Sequence, residues 1–340
     1  MTGADRVHAT RSHRPGTVRW GILGPGRIAR KFAAGLCEAE GAELVAVGSR
    51  DPGRAATFAA EFGVPRAHGS HADLAADPEL DAVYVGTPHA HHEAHTLLCL
   101  EAGKHVLCEK PLALNSAQAG RMIGAARTRS LVLMEAMWTR FLPAIAHVRD
   151  VVTSGRIGDV RMVVADFGFR AEFDPASRLF APELGGGALL DVGIYPLNLA
   201  FMLCGEPLEI HTTANLGSTG VDEEAALLLR HAGGRISVLA CSLRVDTPRE
   251  AQILGTKGAI TIGFPWWAAT RISIRTGGQS PEELAFPHRG GGYTHEAEAF
   301  MALIRSGQLE SEIMPLDENL AILRTMDTIR ARWGMRYPGE

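Results

Sequence analysis

Residues 18–29 read VRWGILGPGRIA, a short apolar run that leads into two closely spaced glycines. This pattern predicts a buried strand over 18–23, a tight turn, and then a helix over 28–39. The same alternation continues along the chain, with further strands expected at 43–48, 81–85 and 105–108 and helices at 52–62 and 91–102. Strands and helices that alternate at this spacing build βαβ units, so we expect a doubly wound α/β fold with a parallel sheet.

The glycine turn also predicts a ligand. Gly24 permits the turn, Gly26 lets the backbone approach a pyrophosphate, and Ala29 is small enough for the helix to pack on the strand. The helix begins near Arg27 and Ile28, where free N–H groups and the positive end of the helix dipole attract phosphates. The alternative is that the glycines only reverse the chain. Their place between a strand and a helix favours a dinucleotide site.

The pattern changes after about residue 138. We expect strands at 161–169, 208–215, 225–229, 235–243, 251–255 and 271–275, and helices at 188–203, 295–306 and 317–332. Most of these strands follow one another without a helix long enough for a crossover. Such strands pair antiparallel, which predicts an α+β domain with a large, mostly antiparallel open sheet. We therefore divide the chain into a disordered tail (1–17), a Rossmann domain (18–137), and an α+β domain (138–340). The last helix could pack back on the first domain.

The bulk composition narrows the class of protein. The 340 residues carry 34 basic and 38 acidic side chains, a formal net charge of −4 that gives no reason to expect nucleic acid as a partner. Five scattered cysteines without a CxxC pair support neither a zinc site nor a disulfide framework. We find no apolar run near the roughly 18 residues of a membrane helix and no secretory signal, so we expect a cytoplasmic protein without a membrane partner.

The end of the second predicted strand bears on the choice of dinucleotide. A ribose with a free 2′-hydroxyl is bound by an Asp or Glu about 20 residues beyond the glycines. Here Ser49 and Arg50 occupy that place, and a guanidinium is suited to hold a 2′-phosphate. The sequence therefore predicts NADP(H) in preference to NAD(H), which stays possible. Two alternatives are open: Arg50 is a solvated surface residue while Asp51 caps the next helix, or Asp51 reaches the ribose.

Three further motifs point to the chemistry. Residues 85–92 read VGTPHAHH and residues 108–111 read CEKP, each at the end of a predicted strand, and residues 185–196 read GGGALLDVGIYP. Together they resemble the glucose–fructose oxidoreductase / inositol dehydrogenase / MocA (Gfo/Idh/MocA) family over nearly the whole chain from residue 18. Residues 134–141, MEAMWTRF, and the GGALLDVGIY stretch look most like its dimeric dihydrodiol / D-xylose 1-dehydrogenase branch.

The resemblance implies that Lys110 of the Glu-Lys-Pro motif and Tyr195 of the Gly-Ile-Tyr motif act together, and that the second sheet serves subunit contact. Oxidising a secondary alcohol requires a base for the hydroxyl proton while hydride leaves to a nicotinamide. A nearby ammonium is expected to lower the pKa of Tyr195 from its ordinary value of about 10. In reverse, Tyr195 would donate the proton and Lys110 would polarise the carbonyl. Asp191, four residues before Tyr195, would share its helix face and could orient Lys110 or accept a substrate hydroxyl.

Each of these three residues also has a purely structural interpretation. Lys110 could end a strand in solvent, and Tyr195 could be a core aromatic with a satisfied hydroxyl. Asp191 could cap the helix that follows the three glycines.

The histidines invite a metal interpretation because His91 and His95 are four residues apart on a predicted helix. Residues 92–95 read HEAH, one residue short of the HExxH spacing, and no third ligand is evident, so we expect no metal. A polar lining of the cleft suits His89 and His92 better. The remaining alternatives are helix capping and solvation at the surface.

Aromatic residues in the second domain are candidates for substrate contact. Trp266 and Trp267 would point to opposite sides of an extended chain, so at most one, Trp267, is expected in a pocket. The alternative is packing in the core or at a subunit interface. Trp138 and Arg140 lie at the domain junction, with Arg140 a candidate anchor for substrate hydroxyls.

The sequence thus predicts an NADP(H)-dependent oxidoreductase for a sugar, cyclic polyol or dihydrodiol, assembled as a homodimer or higher homo-oligomer. The alternatives are a keto-sugar reductase with the same site and a dinucleotide-binding sensor without catalysis. The expected catalytic residues are Lys110, Tyr195 and Asp191. The expected cofactor-binding residues are Gly24, Gly26, Arg27, Ile28, Ser49, Arg50, Thr87, Pro88, His92, Glu109 and Lys110. The expected substrate-binding residues are His89, Trp138, Arg140, Asp191 and Trp267.

Overall fold

The structure is a computed structural model that describes residues 16–340. The predicted tail, 1–17, therefore lies outside the described residues except for its last two positions. Six parallel strands form the first sheet, in the order β3-β2-β1-β4-β5-β6. They are β1 (Val18–Leu23), β2 (Ala42–Gly48), β3 (Arg66–His68), β4 (Ala82–Val85), β5 (His105–Glu109) and β6 (Leu133–Ala136). This is the strand order of a dinucleotide-binding Rossmann sheet, so the predicted α/β fold is confirmed.

Helices connect these strands and follow the last of them. They are α1 (Arg27–Cys37), α2 (Pro52–Phe62), α3 (His71–Ala75), α4 (His92–Glu101), α5 (Ser116–Arg129) and α6 (Pro143–Thr153). The bounds of β1 and α2 are those expected from the sequence. The short strands β3 and β6 and the helices α3, α5 and α6 were not predicted.

The second sheet has eight strands in the order β14-β13-β12-β11-β7-β10-β9-β8. They are β7 (Val160–Gly168), β8 (Pro207–Leu216), β9 (Asp222–His231), β10 (Ile236–Ser242), β11 (Ala251–Gly255), β12 (Gly258–Ile262), β13 (Arg271–Thr276) and β14 (Glu282–Ala285). Neighbours pair antiparallel except β7 and β10, which run parallel, so the expected open sheet is confirmed. The remaining helices are α7 (Ile194–Cys204), α8 (Tyr293–Ser306) and α9 (Leu316–Arg332).

The core of the first sheet is completed from the far end of the chain. Trp20 of β1 is fully buried, and its ring centroid lies 5.5 Å from that of Phe32 on α1 and 5.2 Å from that of Phe300 on α8. Phe32 in turn stacks on Tyr84 of β4 at 3.9 Å. The helix that carries the glycine turn is therefore wedged between the first sheet and a helix from the C-terminal part of the chain.

The C-terminal helices pack on the first layer at two places. The hydroxyl of Thr294 on α8 donates to the Gly35 carbonyl of α1 at 2.8 Å. On the other side, the N–H of Ser116 at the start of α5 donates to Asp327 of α9 at 2.9 Å. These contacts fix the position of the second sheet relative to the first.

One segment corrects the expectation that no long apolar run is present. Residues Pro182–Cys204 are long and apolar enough by composition to cross a membrane, with a mean hydropathy of 1.5. However, 94% of the most apolar window is buried inside the protein. This is the behaviour of a core helix in a globular protein, because its apolar surface already faces other protein atoms.

The packing of α1 on α8 can be tested at a glycine. A Cβ at Gly35 would lie 2.7 Å from the Cβ of Tyr293 and 3.0 Å from the Gly290 carbonyl oxygen. We therefore expect Gly35→Ala to lower the free energy of unfolding by about 1–3 kcal/mol through overpacking. The matched control is Gly124→Ala on α5, where a Cβ would meet no atom within 4 Å. This substitution should raise the free energy of unfolding by about 0.5–1 kcal/mol, because alanine favours the helix over glycine. Urea unfolding of both variants checks the opposite signs, and a stabilising Gly35→Ala would contradict this packing.

Candidate active site

A cleft of about 1150 Å³ lies at the carboxyl ends of the first-sheet strands and is closed on one side by the second domain. Ligands of open α/β sheets bind at this edge. The cleft brings together most of the predicted residues, namely Gly24, Gly26, Arg27, Ile28, Ser49, Arg50, Thr87, Pro88, His89, Glu109, Lys110, Trp138, Asp191, Tyr195 and Trp267. His92 and Arg140 are not among its lining residues.

The glycine turn has the geometry that close approach of a ligand requires. Gly24 has a φ of +92°, and a Cβ there would lie 2.8 Å from Cγ2 of Thr87, so only glycine fits. At Gly26 a Cβ would have only one neighbour, a carbonyl oxygen at 3.8 Å, which leaves its outer side open. No side chain caps α1, which begins directly after Gly26. The backbone N–H groups of its first turn are thus available to an anion, and the residues present fit a dinucleotide pyrophosphate.

Three neighbouring residues, Ser49, Arg50 and Asp51, lie at the rim of the cleft where β2 ends. The Asp51 carboxylate accepts from the N–H groups of Gly53 and Arg54 at 2.9 and 3.2 Å and caps α2. Ser49 is buried, and its hydroxyl oxygen accepts from the Asp51 N–H at 3.1 Å. Oδ1 of Asp51 caps the helix, and Asp51 and Arg50 are both exposed and both line the cleft at the end of β2.

Lys110 and Asp191 are in direct contact. The Lys110 ammonium donates to the Asp191 carbonyl oxygen at 2.5 Å and to its carboxylate at 3.2 Å. Arg178 donates to the same carboxylate at 2.8 Å. Burial opposes ionisation of Asp191, but the charges of Lys110 and Arg178 outweigh it and hold the pKa well below its ordinary value. Asp191 is therefore an anion clamped between two cations.

The local backbone explains how Asp191 reaches this position. Residues Leu189–Gly193 form a π-helical turn that runs into α7. The turn is entered through Gly187, whose φ is +120° and where a Cβ would lie 2.3 Å from Oδ1 of Asp222. Oδ2 of Asp222 accepts from the Leu189 N–H at 2.6 Å and so fixes the first residue of the turn. Isolated π-turns of this kind are common at functional sites.

Tyr195 stands beside Lys110, but its acidity differs from the expectation. The Lys110 nitrogen lies 5.0 Å from the centroid of the phenol ring, and the Trp138 indole N–H donates to the phenol oxygen at 3.2 Å. Burial and the nearby Glu109 charge raise the pKa of Tyr195 above its ordinary value. The predicted lowering by Lys110 is therefore wrong for this structure, because desolvation dominates. Tyr195 is a neutral phenol that can donate a proton.

Buried polar groups support the cleft from behind. The Tyr84 hydroxyl donates to Glu109, and burial raises the pKa of that carboxyl. Nδ1 of His89 donates to the Gly185 carbonyl at 2.9 Å, so Nδ1 carries the proton of the neutral ring. Burial lowers the pKa of His89 to about 3, so the ring is neutral at pH 7.

His92 does not line the cleft, in contrast to the prediction. Its ring is fully buried, and its two nitrogens lie 2.8 Å from the Thr87 carbonyl and 2.7 Å from the Pro111 carbonyl. Burial lowers its pKa to about 4. His92 thus lies between the loops after β4 and β5, and its neutral ring donates its one N–H to one of these two carbonyls.

Aromatic side chains form the wall contributed by the second domain. Trp267 stacks on Phe167 of β7 with ring centroids 3.4 Å apart and planes at 9°. Trp266 points the other way, is fully buried, and donates its indole N–H to the Asp166 carbonyl at 2.8 Å. Of the two tryptophans Trp267 is thus the one that faces the cleft, with a flat apolar face of the kind that suits a ring-shaped ligand.

Arg140 lies outside the cleft, which corrects its prediction as a substrate anchor. Its guanidinium is almost fully buried, bonds to the Asn198 side chain and donates to the Ile313 carbonyl at 2.9 Å. It also pairs with Glu318 of α9. All its nitrogens have protein acceptors nearby, so Arg140 ties α7 and α9 to the domain junction.

Arg178, which sequence analysis missed, lines the cleft and donates from its guanidinium to Asp191. It lies in the irregular stretch between β7 and the π-turn, where no periodicity or motif marks it. Phe167, Tyr293 and Arg54 were likewise missed and also line the cleft. Within residues 16–340, no group of three or more His, Cys, Asp or Glu side chains is arranged to hold a metal ion.

Two family models match most of the chain. The oxidoreductase family model with an NAD-binding Rossmann fold, Gfo/Idh/MocA, matches residues 18–137, and the Gfo/Idh/MocA C-terminal domain model matches residues 145–261. The chain belongs to the Gfo/Idh/MocA family of oxidoreductases. The resemblance read from the motifs is thereby confirmed, and so is the expectation of an enzyme.

Relatives of this Gfo/Idh/MocA protein align along nearly its whole length. The human trans-1,2-dihydrobenzene-1,2-diol dehydrogenase is 36% identical over 333 residues, covering 95% of this chain and 99% of the relative. The Xenopus tropicalis protein of the same name is 37% identical, covering 94% and 99%.

Solved structures of family members have the same fold. A 3-ketoreductase from Actinomadura kijaniata, in complex with NADP and TDP-benzene, superposes with a TM-score of 0.83 at 27% identity, covering 93% of this chain and 97% of that chain. An aldose-aldose oxidoreductase from Caulobacter crescentus, complexed with glycerol, gives 0.84 at 28%, covering 94% and 98%. The expected nicotinamide dinucleotide agrees with the NAD-binding family model and with this NADP complex.

Substitution of Arg140 and of Arg178 tests whether each arginine supports the fold or contacts the substrate. Arg140→Met leaves the Glu318 and Asn198 partners unpaired, so we expect a loss of about 3 kcal/mol in the free energy of unfolding with an unchanged KM. Arg178→Met should instead raise KM and leave the unfolding midpoint nearly unchanged, because Arg178 is partly exposed at the cleft. Thermal unfolding and steady-state kinetics check the pair. A raised KM at normal stability in Arg140→Met would restore Arg140 as a substrate contact.

Proposed function

We propose that this protein is an NADP(H)-dependent oxidoreductase that transfers hydride between the nicotinamide and a secondary alcohol or carbonyl of a sugar, cyclic polyol or dihydrodiol. One observation carries the proposal: a single cleft contains both the uncapped glycine turn of α1 and the cluster of Lys110, Asp191 and Tyr195. A cofactor held at the first would be in reach of a substrate held at the second.

The substrate class rests on the wall of the cleft and on the relatives. Trp267 offers a flat apolar face, while His89, Arg178 and Asp191 offer hydrogen-bonding groups in the same cleft. Such a mixture suits a compact ring that carries several hydroxyls. The named relatives act on a dihydrodiol, an aldose or a keto group, which agrees with this class.

The proton at the reacting oxygen is assigned to Tyr195. The dinucleotide, when bound, supplies or accepts the hydride. Tyr195, a neutral phenol with a raised pKa, would donate its proton to the carbonyl oxygen in reduction. Lys110, positioned by Asp191, would stabilise negative charge on that oxygen. In oxidation the same two groups act in reverse, with Tyr195 returning to the phenol as it takes the hydroxyl proton.

Reduction of a keto-sugar is the second candidate function, and the 3-ketoreductase among the solved structures favours it. Reduction needs a protonated Tyr195, and a tyrosine with an ordinary or raised pKa is protonated at pH 7. The non-catalytic sensor is disfavoured, since a protein that only binds a dinucleotide has no need of a buried carboxylate clamped by two cations beside a phenol.

The preference for NADP(H) rests on Arg50. Its neighbour Asp51 caps α2 through Oδ1, and the Arg50 guanidinium suits a 2′-phosphate, which the Asp51 carboxylate would repel. Arg54, on the first turn of α2, lines the same part of the cleft and adds a second positive charge.

A homodimer in the cytoplasm stays a proposal. The second sheet exposes Leu228 and Val238, which are directly opposite each other on β9 and β10, and Leu208 and Leu216 on β8. Exposed apolar side chains on adjacent strands are typical of a sheet face that meets another subunit. All five cysteines are free, as expected of a reducing compartment.

The roles of Lys110 and Tyr195 predict a large loss of turnover. On a substrate found by screening sugars, diols and keto-sugars, Tyr195→Phe and Lys110→Met should each lower kcat at least about 100-fold, because general acid–base and charge stabilisation are removed. Lys257→Met, at an exposed turn outside the cleft, is the matched control and should keep full activity. If either cleft variant retained full turnover, the assigned role would be wrong.

The role of Arg50 predicts a change in cofactor discrimination. Arg50→Ala should weaken binding of NADPH about 10- to 100-fold, the value of hydrogen bonds to a charged partner, and leave NADH nearly unaffected. Arg161→Ala, on the second sheet, should alter neither affinity. Fluorescence titration with both cofactors measures this, and equal losses for NADPH and NADH would refute the 2′-phosphate assignment.

A further inference from the structure

Three histidines meet at the rim of the cleft near Arg50, and they form what we term the histidine cluster: His71, His91 and His95. His71 begins α3, His91 ends the 3₁₀ turn after β4, and His95 lies on α4. All three line the same cleft as Arg50. They come from three separate segments, so their proximity is a property of the fold.

The cluster is joined by direct contacts. Nδ1 of His71 lies 2.9 Å from Nε2 of His95, and Nδ1 of His95 lies 3.1 Å from the Thr87 hydroxyl. The ring of His91 is 5.6 Å from that of His95. In the hydrogen bond between two neutral imidazoles, one ring donates its N–H and the other accepts with its unprotonated nitrogen. If the donor ring takes up a further proton, it becomes a cation and still donates to its neighbour.

Burial and nearby positive charge keep the three histidines neutral at pH 7. Burial is the main cause that lowers the pKa of all three histidines, to about 3 for His95, and the positive charge of Arg50 acts in the same direction on each. The other charged or titratable groups on the surrounding elements are already engaged: Asp51 caps α2, Asp73 accepts from Ser70, Glu93 pairs with Arg121, and His92 faces two carbonyls. Arg54 adds a further cation at the rim.

We propose that the histidine cluster is the second half of the 2′-phosphate site and takes up a proton when the phosphate binds at Arg50, so that preference for NADP(H) grows as the pH falls. The inference rests on the proposed use of NADP(H). A phosphate monoester carries a charge of about −1.5 to −2 near pH 7, and Arg50 and Arg54 offer it positive charge from the end of β2 and from α2. A protonated cluster adds positive charge from the other wall of the cleft, which α3 and α4 form.

The direction of the pH dependence follows from comparing the histidine pKa values in the free protein with those in the protein that holds the phosphate. In the free protein the histidine pKa values lie below 6.5, and an adjacent phosphate raises them. Affinity for the phosphate therefore increases as the pH falls through the raised value, and it levels off below the free value. The phosphate itself has a second pKa near 6 and loses protons when it binds as the dianion, which is the opposite sign. Net proton uptake thus reports on the protein.

The test compares 2′,5′-ADP with 5′-AMP, which differ only in the 2′-phosphate. Calorimetry of the full chain between pH 6.5 and 8.5, in two buffers of different ionisation enthalpy, yields both affinity and protons exchanged. We expect the affinity ratio of 2′,5′-ADP to 5′-AMP to increase on the order of 10-fold from pH 8.5 to 6.5, within the limit of about 100-fold that one proton sets over two pH units, with uptake seen only for 2′,5′-ADP.

Variants locate the proton. The triple variant His71→Gln/His91→Gln/His95→Gln should lose the pH slope and the uptake while retaining most of the preference at pH 8.5, where Arg50 and Arg54 act without the cluster. His211→Gln, on exposed β8, is the matched control and should behave as the wild type. Uptake that persists in the triple variant would overturn the proposal. An affinity ratio of 2′,5′-ADP to 5′-AMP that stays constant with pH in the wild type would also overturn it. That measurement does not depend on whether a variant folds.

Two outcomes distinguish the use of NADP(H) from the role of the histidine cluster. If 2′,5′-ADP binds no better than 5′-AMP at any pH, the NADP(H) assignment itself is wrong. If it binds better by the same factor at every pH, Arg50 holds the phosphate and the histidine cluster has no part in it.

Discussion

The contact between Lys110 and Asp191 joins the edge of the Rossmann sheet to the π-turn of the second domain, and the geometry of the reaction site depends on it. Burial alone would neutralise Asp191, but Lys110 and Arg178 together keep it ionised. An ionised carboxylate in turn holds the Lys110 ammonium beside the ring of Tyr195, 5.0 Å away. Removal of Asp191 would leave the buried Lys110 ammonium uncompensated, whereas removal of the partly exposed Arg178 leaves Asp191 paired with Lys110.

The rest of the fold keeps the two sides of that contact in register. The glycine turn positions α1, and α1 is packed against α8 at Gly35, so the helix that would meet the phosphates is also the helix that anchors the second domain. Asp222 and Gly187 set the start of the π-turn, and Arg140 locks α7, which carries Tyr195, to α9. The cleft is thus built between elements whose relative positions are fixed by buried polar contacts as well as by the apolar core.

Local patterns predicted the parts of this structure that depend on local chemistry. The strand β1, the glycine turn and α2 follow from apolar runs, glycines and a capping Asp51, and the motifs around Lys110 and Tyr195 end up in one cleft. What failed depends on distant partners. Arg140 is bound by residues 58 or more positions away, His92 by carbonyls of two loops, and the pKa of Tyr195 is set by burial that no sequence window contains. Arg178 lacks any local pattern, and short strands such as β3 and β14 carry too few residues for their period to be recognised.

The positions of Arg50 and Lys110 have a consequence for how such a protein changes over time. They follow β2 and β5, which are separated by β1 and β4, a distance of roughly 14 Å at the usual strand spacing. Arg50 and Arg54 are exposed, so substitutions there meet water and leave stability almost untouched, whereas Lys110, Asp191 and Tyr195 are held in a packed and charged interior. Cofactor preference can therefore drift under selection at little structural cost, while the chemistry of the same cleft is inherited nearly unchanged.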